Sequence, residues 1–413
     1  MKSLLSFLGL ITAFVFTASH ADAENWNRFR GPNGTGISEL TGLPVEWNES
    51  DYDWKVEIPG LGHSSPCTWE NMIFVSSSLD DGTKRLALAY DADTGKQLWQ
   101  NEVVFETNDK HALNSFASAT PTTDGKHVAF LFAGSEQTLL IGYDLAGKEV
   151  WRTDFGPFVC QHGHGCGTSP ITYKDLAILS IQHSGPSFVA GVELATGKIR
   201  WKNERETRLT GHCTPTLIGA DSDAPQVIYT NTDDGIASLD PRNGDLIWRA
   251  KVFTARAVNS PVVGEGFAFA ICGGGGRGKY IGAIPVHQKG ELTFEDAAWS
   301  LDQNLPYVLT PLIVGENMYL WGDNGVLLCV KVKTGEVVYL ERIGGIFSAS
   351  PVCIDGKIYC ASRDGEVVVV ATGDKFQVLA RNQLGEGCHA TPAISGDRMI
   401  VRGFKHLFAL KAK

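Results

Sequence analysis

The feature that most constrains this chain is a Ser/Thr-Pro pair that recurs eight times. The pairs are Ser65-Pro66, Thr120-Pro121, Ser169-Pro170, Thr214-Pro215, Ser260-Pro261, Thr310-Pro311, Ser350-Pro351 and Thr391-Pro392. Successive prolines lie 40 to 55 residues apart. Each pair opens a short apolar segment, then a turn, then a second apolar segment, as in 311–319 and 351–359. Proline at the first position of a strand forfeits no ladder hydrogen bond, so its place in the unit is physically consistent. A period of this length marks similar units that bury their faces against one another rather than separate domains.

A second mark follows most of these prolines. Its cleanest copy runs Ala89-Tyr90-Asp91-Ala92-Asp93-Thr94-Gly95-Lys96-Gln97-Leu98-Trp99, with versions at 142–151, 191–201, 238–248 and 329–339. In the fifth unit an insertion separates Gly290 from Trp299, and the seventh lacks the aromatic residue. Asp-x-x-Thr-Gly is a tight turn between two strands, so Asp91, Asp144 and Asp240 read as turn formers rather than acid–base groups. The Trp leaves the outer strand and is expected to pack between neighbouring sheets. Eight such units of four strands predict an all-β, eight-bladed β-propeller of antiparallel blades. The last unit, 391–413, has room for only three strands. Residues 53–58 are expected to supply the fourth, so that N- and C-terminal segments share one blade and 24–413 form a single domain.

The pattern at Ala89 to Trp99 resembles the tryptophan-docking repeat of quinoprotein-like (PQQ-like repeat) propellers. That superfamily includes pyrroloquinoline-quinone (PQQ) dehydrogenases and the non-enzymatic outer-membrane assembly factor BamB. The resemblance extends from about Trp26 to the C-terminus. The leading segment Trp26-Asn27-Arg28-Phe29-Arg30-Gly31-Pro32-Asn33-Gly34-Thr35-Gly36 is similar to the opening of secreted PQQ-like repeat proteins, many from planctomycetes. The fold implied by the resemblance hosts both oxidoreductases and scaffolds, so it does not carry a function by itself. The dehydrogenases usually hold a vicinal Cys-Cys disulfide against the cofactor and carry long insertions around it. This chain has no Cys-Cys pair and nearly minimal repeats, which points toward the non-enzymatic branch.

Residues 1–23 read as an export signal. Lys2 supplies the positive start, Leu4 to Phe16 the apolar run, and Ala21-Asp22-Ala23 small residues before a cut at Glu24. The apolar run is too short to span a bilayer, so a periplasmic or secreted protein without a transmembrane anchor is expected. A formal net charge of −10 disfavours nucleic-acid binding. Nine cysteines leave at least one unpaired in a monomer, with Cys160–Cys166 the shortest loop to close.

Candidate chemistry gathers just before the Ser/Thr-Pro pairs, in segments expected to line one mouth of the central channel. His63, His212 and His389 each stand three residues before a repeat proline and form the candidate cofactor-binding set. Cys160, His162, His164 and Cys166 lie in one short segment of the third unit and form the candidate metal set. Imidazoles and thiolates converging on one mouth suit a transition metal or, through the resemblance, PQQ with calcium. Glycines 273–276 followed by Arg277, Gly278 and Lys279 approach a phosphate-binding loop. Tyr280 replaces the hydroxyl residue that would meet magnesium, and a strand rather than a helix follows, so an interstrand loop is expected. Two functions remain open. One is a non-catalytic scaffold for a protein or polymer on a propeller face. The other is a PQQ- or metal-dependent dehydrogenase working at the channel mouth.

Overall fold

The computed structural model describes residues 24–107, 109–160 and 163–413. Its sheets are eight blades, each built on four antiparallel strands around a central axis. Tyr52–Glu57 pairs with His406–Lys411, so the expected N-terminal strand completes the last blade. Three blades gain a further strand. Ile37–Ser38 runs parallel to Val352–Ile354 in the seventh blade, and Arg256–Ala257 joins the fifth. In the fourth, Gly290–Leu292 lies parallel to Trp248–Ala250. The insertion in the fifth unit is thus a loan to its neighbour's outer edge.

Alternating apolar residues on both faces of each blade explain the radial stacking. Eight buried apolar clusters fill the eight spaces between adjacent blades. Between blades one and two, for example, Phe74, Ala87 and Ala89 meet Phe130, Leu139 and Ile141. Full burial of one such large side chain contributes roughly 1.5–3 kcal/mol.

The repeated Trp and the repeated turn prove to be halves of one contact. Trp99 of blade one donates its indole N–H to the Leu145 carbonyl, in the turn of blade two, at 3.0 Å. Trp151 reaches Leu194, Trp201 reaches Pro241, and Trp299 reaches Val332 in the same way. Trp54 reaches Ala92 and so clips blade eight to blade one. Gly147 shows why the turn needs glycine twice over: its φ is +84°, and a Cβ there would lie 2.6 Å from Trp99 Cγ. Trp248 departs from the pattern and bonds to Gln226 of its own blade, where Gly290–Leu292 covers the edge. The turn aspartates cap their own turns, Asp91 Oδ1 accepting from the Thr94 amide at 2.9 Å.

The hydroxyls of the Ser/Thr-Pro pairs form a closed ring around the axis. The Ser65 amide donates to Thr120 Oγ1 at 3.0 Å and the Thr120 amide to Ser169 Oγ at 2.9 Å. The relay continues through Thr214, Ser260, Thr310, Ser350 and Thr391. The Thr391 amide then returns to Ser65 Oγ. Serine and threonine alternate strictly around this ring. Because the next residue is proline, each of these amides is the last donor before its innermost strand, and the neighbouring hydroxyl satisfies it.

The segment 26–36 crosses the axis beneath the ring. Arg28 donates to the Pro215 carbonyl, and Arg30 to those of Pro311 and Pro351. Trp26 N–H bonds to Thr68, the Asn27 carbonyl to Thr122, and the Asn33 carbonyl to Thr216. Both guanidiniums are fully buried, and loss of hydration lowers their pKa values to about 9. Gly31, at φ +66°, makes room for the Trp26 ring directly against its backbone. One end of the channel is therefore closed by the chain's own N-terminal segment.

Candidate functional site

The open end is a cavity of about 970 Å³ lined by the loops that lead into the Ser/Thr-Pro pairs. Phe29 from the crossing segment and the eight ring hydroxyls line it as well. These loops converge because every blade presents the same connection at the same end of its innermost strand.

His63, His212 and His389 all line this cavity, as their common spacing predicts. They divide into two groups. His63 and His389, from adjacent blades, have ring centroids 4.5 Å apart, and both pack against Phe404. His212 belongs to a second group with His164, His111 and Arg256. The His164 and His111 rings stack at 5.5 Å, and Arg256 Nη1 lies 2.7 Å from His164 Nε2. Burial holds the three repeat-phased histidines in the neutral form. The pKa of His63 falls to about 3, helped by His389 and Arg402. That of His212 falls to about 3, helped by Arg256, His164 and His111. That of His389 falls to about 4, helped by Arg363.

The second predicted set is arranged differently. His162 lies outside the described residues. Cys160 Sγ accepts from the His164 amide at 3.1 Å and touches Thr210 Oγ1 at 3.3 Å. Burial pushes the Cys166 thiol up to about 12, which disfavours a free thiolate there. All nine cysteines are unpaired thiols, so no bridge joins Cys160 to Cys166. Among the described residues no three His, Cys, Asp or Glu side chains group as metal ligands. The glycine-rich segment is a hairpin, with strands Phe267–Gly274 and Arg277–Pro285 joined by Gly275-Gly276, as an interstrand loop should be. It does border the cavity, contributing Lys279.

Sequence reasoning missed three residues here, His111, Arg256 and Arg363, and placed Lys279 only in an interstrand loop. None shares the repeat phase of His63. Arg256 is five residues before its proline, and Arg363 sits between the second and third strands of its blade. They make the cavity strongly donor-rich. Its carboxylate, Asp323, already accepts from the amides of Tyr307 and Val308 at 2.7 and 3.1 Å. Asn114 and Asn259 likewise spend their amide groups on nearby backbone.

The family model described as outer membrane protein assembly factor BamB matches residues 83–341. The chain belongs to this family. The BamB of Yersinia pestis is 22% identical over 336 residues, covering 78% of this chain and 69% of that one. The BamB of Shewanella oneidensis is 20% identical, covering 67% and 70%. Among solved structures, BamB from Moraxella catarrhalis superposes with a TM-score of 0.62 at 15% identity, covering 87% of this chain and 97% of that one. The quinohemoprotein alcohol dehydrogenase of Comamonas testosteroni gives 0.66 at 12% identity, covering 96% and 82%. These structural likenesses describe the PQQ-like propeller fold shared by the BamB family and the dehydrogenases. PQQ with calcium, the cofactor that the sequence resemblance implies, finds residues to meet it here only in part. Arg256, Lys279 and Arg363 suit carboxylates. Calcium prefers several oxygen ligands, and Asp323 is occupied by backbone amides. No helix among the described residues is long and apolar enough to cross a membrane.

Proposed function

We propose that this BamB-family propeller is an exported, non-catalytic scaffold that docks a protein partner on the face around its open mouth. In this reading residues 1–23 are removed before Glu24, and 24–413 work as one domain in the periplasm or outside the cell. One observation carries it: four large apolar side chains stand exposed in the mouth loops. Leu61 is 60% exposed, Ile346 57%, Leu113 43% and Val159 40%. Leu113 and Ile346 line the cavity, with Leu61 and Val159 in loops of the same end, and exposed apolar groups collected at a concavity mark a surface that another molecule covers.

The test places a photoreactive side chain at Leu61 or Ile346 in the exported full-length chain, with Val337 on an outer strand as control. A discrete protein adduct from the mouth positions alone is expected. No adduct, or equal adducts from Val337, overturns the reading. A second reading, a quinone- or metal-dependent dehydrogenase, draws on the neutral histidines His63, His212 and His389 facing the cavity. Saturable one-to-one uptake of PQQ with calcium, or one equivalent of a transition metal, would favour it over the scaffold.

A further inference from the structure

The cavity and its rim differ sharply in chemistry. Inside are the cations Arg256, Lys279 and Arg363, against the one lining carboxylate among the described residues, Asp323; Arg256 meets His164, and Arg363 donates to Ser348 Oγ. The ring hydroxyls each accept a backbone amide, which leaves their O–H groups as donors toward the same space. Asp323, within electrostatic reach of Arg363, offsets one of the three charges, while its oxygens and the amides of Asn114 and Asn259 are engaged by backbone. A chain with a net charge of −10 therefore keeps a recessed pocket of positive charge and hydrogen-bond donors. Such a pocket favours an occupant rich in negative oxygen.

The rim adds a second requirement. Leu113 and Ile346 border the cavity, whereas Leu61 and Val159 stand outside it. A small anion confined to the cavity would leave those two uncovered. An occupant that fills the centre and covers the rim must be a chain segment with acidic residues at its middle and apolar residues beside them. We propose that the mouth receives an acidic segment of the partner protein. Its carboxylates enter among Arg256, Lys279 and Arg363, and its flanking apolar side chains rest on Leu61, Leu113, Val159 and Ile346. This rests on the scaffold reading and names the kind of partner that reading requires. The geometry matches other interfaces in which charge sets the encounter and register while apolar contact holds the complex.

The test uses the chain from Glu24 onward and a set of fluorescein-labelled ten-residue peptides. These carry a Glu/Asp centre with Leu flanks, the same peptides with Gln/Asn centres, and the same with Ser flanks. Anisotropy should show saturable one-to-one binding of the acidic, Leu-flanked peptides that weakens with salt. Both altered sets should bind at least about tenfold more weakly, as should the double variant Lys279→Gln/Arg363→Gln, a loss on the scale of one or two charge contacts. The single variant Lys279→Gln, on an exposed side chain, guards against a folding artefact and should give an intermediate loss at an unchanged Tm. No binding by any acidic peptide, or equal binding of the Gln/Asn set, overturns the proposal. Equal binding of the Ser-flanked set, with full displacement by citrate, also overturns it and assigns the pocket to a free polycarboxylate. Cross-linking at the rim senses docking regardless of charge, so a rim adduct with a partner lacking acidic segments would spare the scaffold and remove this inference alone.

Discussion

The amide of Thr391 donates to the hydroxyl of Ser65 at 3.0 Å, joining the last innermost strand to the first across 326 residues of sequence. It is one of eight equivalent links, and its alanine variant isolates the closure. Ser65→Ala leaves the buried Thr391 amide without a partner, a cost of about 1–3 kcal/mol. Thr214→Ala should cost a similar amount through the Ser169 amide, while Thr214→Ser should keep most of the stability. Urea unfolding of the three variants checks this, and equal midpoints for Thr214→Ala and Thr214→Ser would remove the ring from the account of stability.

Arg30 ties the crossing segment to two blades through the carbonyls of Pro311 and Pro351. Arg30→Ala strips both bonds and leaves a void, so a loss of roughly 2–4 kcal/mol is expected. Hydrogen exchange should accelerate first at residues 26–36 and at the innermost strands of blades six and seven. Uniform exchange across all eight blades would mean that the segment adds nothing local.

Trp99→Phe retains the ring between blades one and two but loses the bond to Leu145. A drop of about 1 kcal/mol is expected. Gly147→Ala should cost more, since the new methyl meets the Trp99 ring and the φ of +84° is strained for alanine. Thermal melts of both rank the two effects, and the opposite order would show that the indole bond outweighs the close approach.

His63, His212 and His389 give the fold an acid-sensitive term with a definite sign. Their folded pKa values of about 3, 3 and 4 lie below the ordinary 6.5. Between those values the unfolded chain holds more protons than the folded one. Stability from these groups is therefore fully present above pH 6.5 and falls as pH drops, by up to about 1.4 kcal/mol per pH unit for each histidine. Urea midpoints measured from pH 7.5 down to 5 should decline, and the decline should be shallower in His63→Gln. An unchanged slope in that variant would show that His63 takes up protons equally in both states.

The architecture was legible because it is repetitive. Eight prolines in phase gave the blade count, and the short final unit 391–413 called for the strand at 53–58, which pairs with His406–Lys411. The same phase brought out His63, His212 and His389. What lay outside the repeat was hidden. Arg256, Lys279 and Arg363 arrive from three different loop positions, and only the closed ring brings them to one cavity. Cys160 and His164 are neighbours in sequence as in space, yet the His164 ring turns to Arg256 rather than to the thiols. Proline placement explained one half of each Ser/Thr-Pro pair. The hydroxyl's role needed the neighbouring blade, which no local pattern announces.

The floor and the clasp impose an order of events on a nascent chain. Arg30 finds its acceptors only when Pro311 and Pro351 have emerged, and Tyr52–Glu57 finds its partner only with His406–Lys411. Trp26 and Asn27 can meet Thr68 and Thr122 early, but the Arg30 bonds and the Tyr52–Glu57 pairing must wait for nearly the whole polypeptide to be synthesised. Contacts so distant in sequence are slow to form, so the floor and the clasp close late in folding. Segments 26–36 and 52–57 lock the ring, the second of them only once the last strand is in place.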